Sequence, residues 1–240
     1  MGIIISLWLT INKARAQGAA AEFWPETDIW YKLNHSWRLS AFIPITKYNE
    51  SKERDLNVYL QADYAWGKTK HLLFRRMMDE NKVKVINAWM IRGGIMEGWS
   101  LGDNSGSYSE DMIFGEMHSR IPLKGGVLIS QRMRLDLRWL GQEPEYSYRL
   151  RYRVMIEDEL KSGKFSIVPY VNAEPYWDSR YESFSRVRLI GGATLAKGSR
   201  FAYELNLTYQ YDEHYYTSNL YAVNVIIHIF FETARAKAAK

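Results

Sequence analysis

Residues Val127–Glu157, VLISQRMRLDLRWLGQEPEYSYRLRYRVMIE, decide the fold. In the first half Val127, Ile129, Met133, Leu135, Leu137 and Trp139 share one phase of a two-residue period, interrupted only by Gln131. Leu128, Ser130, Arg132, Arg134, Asp136 and Arg138 share the other. In the second half Tyr148, Leu150, Tyr152, Val154 and Ile156 oppose Arg149, Arg151, Arg153, Met155 and Glu157. Successive side chains of a β-strand leave opposite faces, so each half carries one apolar face and one arginine-rich face. A soluble sandwich buries the apolar face and shows its charges to water. A membrane barrel does the reverse, with apolar residues toward lipid and charge toward a wet lumen.

The same alternation recurs along the chain and predicts strands at Glu26–Asn34, Ser36–Ile45, Asp55–Trp66, Lys70–Met77, Lys82–Met96 and Ser109–Ile121. It continues at Gly126–Leu140, Glu145–Glu159, Lys164–Trp177, Ser183–Ala196, Arg200–Tyr211 and Ser218–Glu232. Turn-forming runs separate them: Leu123-Lys124-Gly125-Gly126, Gly141-Gln142-Glu143-Pro144, Lys161-Ser162-Gly163-Lys164 and Lys197-Gly198-Ser199. The expectation is an all-β chain, a single antiparallel transmembrane up-and-down barrel of about 12 strands over residues 26–232. An even count places both termini in the periplasm and the Glu97–Tyr108 loop outside, with short periplasmic turns at Gly125 and Gly163. The long Thr46–Arg54 connection is then periplasmic, against the usual pattern.

Composition agrees with a barrel and excludes several alternatives. The 240 residues have a mean hydropathy of −0.36, and no apolar run after residue 11 approaches the roughly 20 residues of a membrane-spanning helix. Aromatic residues make up 15% of the chain, with 17 Tyr and 9 Trp, and many stand near the ends of the alternating runs. Interfacial girdles occupy that position in a membrane barrel. The absence of cysteine excludes disulfides and thiolate chemistry. A net charge of +5 raises nucleic acid as a partner, but the basic residues alternate with apolar ones and form no basic run or helix.

Both ends of the chain suggest export. Residues 1–16 read as a signal peptide, with Gly2–Ile11 as its apolar core and Ala14-Arg15-Ala16 as the cleavage site, although only Met1 precedes that core. Residues 17–25 read as a lead-in and residues 233–240 as a tail. The last strand alternates Tyr221, Val223, Val225, Ile227, Ile229 and Phe231 with Ala222, Asn224, Ile226, His228 and Phe230. An apolar strand ending on Phe231 is similar to the terminal strand that barrel-assembly machinery recognises.

Several of these segments carry a family resemblance. Trp30-Tyr31-Lys32-Leu33-Asn34, Arg149-Leu150-Arg151-Tyr152-Arg153, Pro169-Tyr170-Val171-Asn172-Ala173-Glu174 and Ser185-Arg186-Val187-Arg188 before Gly191-Gly192 occur in that order. Over about Phe23 to Phe231 the chain resembles the domain of unknown function 2490 family of bacterial outer-membrane proteins. The resemblance implies an outer-membrane β-barrel and brings no assigned activity.

The residues themselves suggest a charged lumen. Arg132, Arg134, Arg138, Arg149, Arg151, Arg153, Arg186 and Arg188 fall on the polar faces of three strands, with Glu174 between them and Glu204 and Asp212 on the strand that follows. Inward-facing, they form either an Arg/Glu network that braces a plugged barrel or the wall of a narrow channel for small anions. An envelope-lipid hydrolase or acyltransferase is a third reading, with Glu116, His118 and Arg120 on one strand face, although His118 and Ser119 point apart. A soluble periplasmic carrier of the lipocalin kind requires the faces inverted. Gly93-Gly94 and Gly191-Gly192 have no helix after them to cradle a phosphate, and mark bends or places where a bulky lumen side chain packs on backbone. No catalytic, cofactor-binding or metal site is expected.

Overall fold

The computed structural model describes residues 20–46, 54–70, 85–102, 109–123, 127–141, 145–162, 165–197, 200–214 and 219–233. The strands are β1 (Ala20–Lys32), β2 (Trp37–Thr46), β3 (Asp55–Lys70), β4 (Val85–Ser100), β5 (Ser109–Pro122) and β6 (Leu128–Leu140). They continue with β7 (Glu145–Glu157), β8 (Leu160–Ser162), β9 (Phe165–Asp178), β10 (Ser183–Lys197), β11 (Phe201–Asp212) and β12 (Asn219–Glu232). No helix occurs among the described residues. Each long strand pairs antiparallel with the next in sequence, β7 passing to β9, and β1 pairs with β12 to close a barrel of 11 strands. The three-residue β8 pairs only with β9, Leu160 opposite Ile167, and prolongs the β7 stave beyond a break at Asp158 and Glu159.

Eleven staves replace the twelve expected. The predicted strand Lys70–Met77 lies, beyond Lys70, outside the described residues, and β3 and β4 pair directly from Asp55↔Ser100 to Lys70↔Val85. The wall has no place for a strand between them. An odd count makes the first and last strands run the same way, so β1 and β12 are parallel, Ala20 opposite Leu220 and Lys32 opposite Glu232. The two ends of the barrel chain therefore leave at opposite rims, which overturns the expectation of both termini on one side. β4 ends and β5 begins at the rim where β1 begins, and Glu97–Ser100 of the predicted loop belong to β4. The wall begins at Ala20 and not at Glu26, so Ala20–Pro25 form part of β1 and not a lead-in. The signal peptide lies outside the described residues, as does the tail beyond Thr233.

The pleat sorts the two phases as the alternation requires. On β5, Glu110, Met112, Phe114, Glu116 and His118 are buried, while Ile113 and Met117 are exposed. On β6, Leu128, Arg132, Arg134, Asp136 and Arg138 are buried, while Met133 and Leu135 are exposed. Charge points inward and apolar side chains point outward. The exposed band carries Leu60, Ile91, Ile95, Leu150, Val171, Leu189, Leu205 and Leu207. Exposed aromatics edge it at both rims: Phe23, Trp99, Tyr146, Phe184 and Tyr211 at one, Tyr31, Trp37, Trp89, Phe201 and Phe231 at the other. On β4, Trp89 and Trp99 stand ten residues apart. At ~3.3 Å per residue and a tilt near 40°, that separation is about 25 Å along the barrel axis.

Candidate functional site: the charged lumen

Carboxylates from β3, β5, β6 and β9 each collect several guanidiniums. Asp63 accepts from Arg38 Nη2 at 2.8 Å and from Arg92 through Nε at 2.6 Å and Nη2 at 3.1 Å. Arg92 Nη1 reaches on to Glu116 at 3.4 Å. Glu116 also accepts from Arg134 Nη1 at 2.8 Å and Arg132 Nη1 at 3.5 Å, and its Oε2 lies 2.7 Å from His118 Nε2. Asp136 takes Arg134 Nε and, at 2.8 Å, Arg149 Nε. Glu174 takes Arg132 Nη2 and, at 2.9 Å, Arg151 Nε, while Tyr176 donates its hydroxyl to Oε2 at 3.1 Å. These bonds link Arg38 on β2 to Arg149 on β7 in one continuous mesh. Two smaller groups sit beside it: Arg138 with Glu110 at 2.5 Å and Asp178 at 3.1 Å, and Arg186 with Asp212.

Aromatic rings lie under several of the guanidiniums. Tyr176, almost wholly buried, has Arg149, Arg151, Arg186 and Arg188 within 5.7 Å of its ring centre, Arg151 nearest at 4.5 Å. Arg134 lies 4.0 Å over Phe114, and Arg38 and Arg92 lie over Trp30. Guanidinium over an aromatic face gains from the ring quadrupole, most where water is absent. The mesh is also layered. The side chains of Asp63, Glu116 and Asp136 are 0% exposed, while Arg149 and Arg151 keep 12% and 11%. In every Arg–carboxylate pair found here the carboxylate is the deeper partner, so guanidinium faces the lumen.

The β11–β12 side is different. Asn224 Nδ2 donates to Thr208 Oγ1 at 2.9 Å and also to Asn206 Oδ1, and Asn206 Nδ2 donates to Glu204 at 2.9 Å. Glu204 accepts from the Tyr170 hydroxyl, from Thr194 at 3.2 Å and meets His228 Nε2 at 3.3 Å, whose Nδ1 faces Asp28 at 3.2 Å. Glu204 thus belongs to a histidine-centred cluster apart from the arginine mesh. Between the two sides lies a cavity of about 480 Å³, lined by Glu110 and Asp212 toward one rim and by Arg120, Glu157 and Phe230 toward the other.

Residues 21–219 match the family described as protein of unknown function, DUF2490. The chain belongs to the DUF2490 family. Comparison with curated proteins and with solved structures finds no match.

The structure of this DUF2490 barrel places all of the predicted arginines and both glutamates on the inner face. Arg132, Arg134, Arg149, Arg151 and Glu174 meet in the mesh, and Arg138 and Arg186 have carboxylates of their own. Arg188 bonds Gln210 at 2.5 Å and lies over Trp24, and Arg153 lines the cavity. Part of the surplus of arginine over acid that β6, β7 and β10 show by themselves is met by Glu110, Glu116, Glu174, Asp178 and Asp212 from other strands. Sequence reasoning missed Arg38, Asp63, Arg92 and Tyr176. Their signal was present: Arg38, Asp63 and Tyr176 stand in the polar phase of their strands. One glycine of each pair is tightly packed, while Gly93 and Gly191 have room for a Cβ. A Cβ on Gly94 would stand 2.5 Å from the Phe114 ring, which rests on bare backbone there, and one on Gly192 would overlap the Cβ of Asn206 and the backbone of Leu205 on the adjoining strand. His118 bonds Glu116, and Ser119 leaves the opposite face of β5.

Proposed function

We propose that this DUF2490 barrel is an outer-membrane channel of narrow bore that favours small anions and performs no catalysis. The observation that carries the reading is the sorting of the two faces. An apolar band about 25 Å tall, bordered by aromatic girdles, fits a bilayer, and a charged interior fits a wet lumen. With the end of β12 in the periplasm, the turns at Gly125 and Gly163 are periplasmic, and the Thr46–Arg54 and β4–β5 connections are external. The Lys70–Val85 connection then lies on the periplasmic side. The layering of guanidinium over carboxylate supports selectivity, because an ion in the cavity meets the arginines first. A carrier of apolar ligands would need the reverse interior.

The test is single-channel conductance of refolded protein in a planar bilayer under a salt gradient, where a reversal potential of anion-selective sign is expected. A second reading has one observation in its favour, the unbroken mesh from Arg38 to Arg149. It makes the arginines a structural plug, and protein that inserts without current would establish it over the channel.

A further inference from the structure

We infer that Arg153 holds a small oxyanion of the inorganic phosphate class inside the lumen. The inference rests on the reading of the lumen as an anion path and adds which anion that path binds. Arg153 stands on the inner face of β7, half-buried, and makes no hydrogen bond or ion pair among the described residues. Directly across the ladder from it is Arg132 on β6. Like charges opposed in this way repel, and a guanidinium in a confined lumen with no carboxylate of its own to bond is costly.

The next arginine pair on the same ladder shows how such a juxtaposition is satisfied. Arg134 opposes Arg151, and Asp136 lies within 3.8 Å of Arg151 while also bonding Arg134. For Arg132 and Arg153 the nearby acids are Glu116 and Glu174, and both are occupied. Glu174 takes Arg132, Arg151 and the Tyr176 hydroxyl; Glu116 takes Arg92, Arg132, Arg134 and His118. The buried Nε of Arg132 also lacks a partner. What the site lacks is one more anion. The next inward row toward the end of β7 is neutral: Met155 opposes Ser130 on β6 and Asn172 on β9, and both line the same cavity. A guanidinium fork matches two oxygens of an oxyanion, and an amide and a hydroxyl can donate to the others. The wall is closed around this point, so a lipid headgroup tethered to tails in the bilayer has no entry. A freely diffusing ion does.

The experiment is a titration of inorganic phosphate, at constant ionic strength with chloride, into protein refolded in maltoside detergent. The readout is the thermal unfolding midpoint, which a ligand of the folded state raises saturably. Wild type is expected to respond. Arg153→Gln should weaken the apparent phosphate affinity about tenfold or more, the loss of a charge-assisted pair. Arg153→Lys, which keeps the charge without the fork, should fall between them and also serves if Arg153→Gln does not refold. Equal titrations in wild type and variant, or no response in wild type, overturn the site. A barrel that binds phosphate at Arg153 but passes no current overturns the channel reading alone.

Discussion

Two sides of one lumen solve the same problem by different chemistry. From β2 to β9 the interior is dominated by a mesh of full charges, in which Asp63, Glu116, Asp136 and Glu174 each meet two or more cations. On β11 and β12 it is a ladder of amides and hydroxyls, Asn206, Thr208, Gln210 and Asn224, with a single histidine bridging Asp28 and Glu204. Charged pairs hold strongly when complete and fail badly when one member is lost, because the other is left buried and alone. Neutral bonds contribute less and cost less to remove. The arginine side is therefore where the barrel is both rigid and vulnerable, and the amide side is where it tolerates change.

The contrast fixes an order of effects. Asp136→Asn should be the most damaging, since Arg134, Arg149 and Arg151 all depend on that carboxylate. About 3–5 kcal/mol of stability should go, read as a shift in urea unfolding of the refolded barrel. A loss below about 1 kcal/mol would mean that the mesh bears little of the fold. Next comes the back of the same strand. Met133 is 64% exposed at the middle of β6, so Met133→Arg should cost about 2–4 kcal/mol in a bilayer. The same substitution should be nearly harmless if that face meets water, so reconstitution into lipid vesicles decides it. Smallest is Thr208→Val on the amide side, about 1 kcal/mol for the bond from Asn224. If it rivals Asp136→Asn, the two sides are not different in kind.

Much of this was legible before any coordinates. On β6 and β7 the two-residue period named the inner and outer face of nearly every position, because burial on a strand follows parity alone. The arginines could be placed in the lumen for the same reason. Their partners could not. Asp63 meets Arg92 from a neighbouring strand, and Glu116 meets Arg134 across a hairpin, so pairing depends on register, which parity does not fix. The strand count failed where the alternation is weakest. Gly93-Gly94 blanks two positions of β4, and the alternation predicts a further stave at Lys70–Met77 where β3 pairs directly with β4. With that stave gone, the parity of the whole barrel changed, and with it the side on which each connection emerges.

The parallel seam between β1 and β12 has a consequence for how the chain could be rewired. In a barrel of even count a short loop can join the old ends, and the chain can be reopened at any turn. Here Ala20 and Glu232 lie at opposite rims. A joining segment must travel the full length of β1, from Ala20 to Lys32 beside Glu232, about twelve residues if fully extended at ~3.3 Å each. It must do so through the lumen or along the apolar outside. Circular permutation, routine for hairpin-closed barrels, is for this architecture a problem of threading.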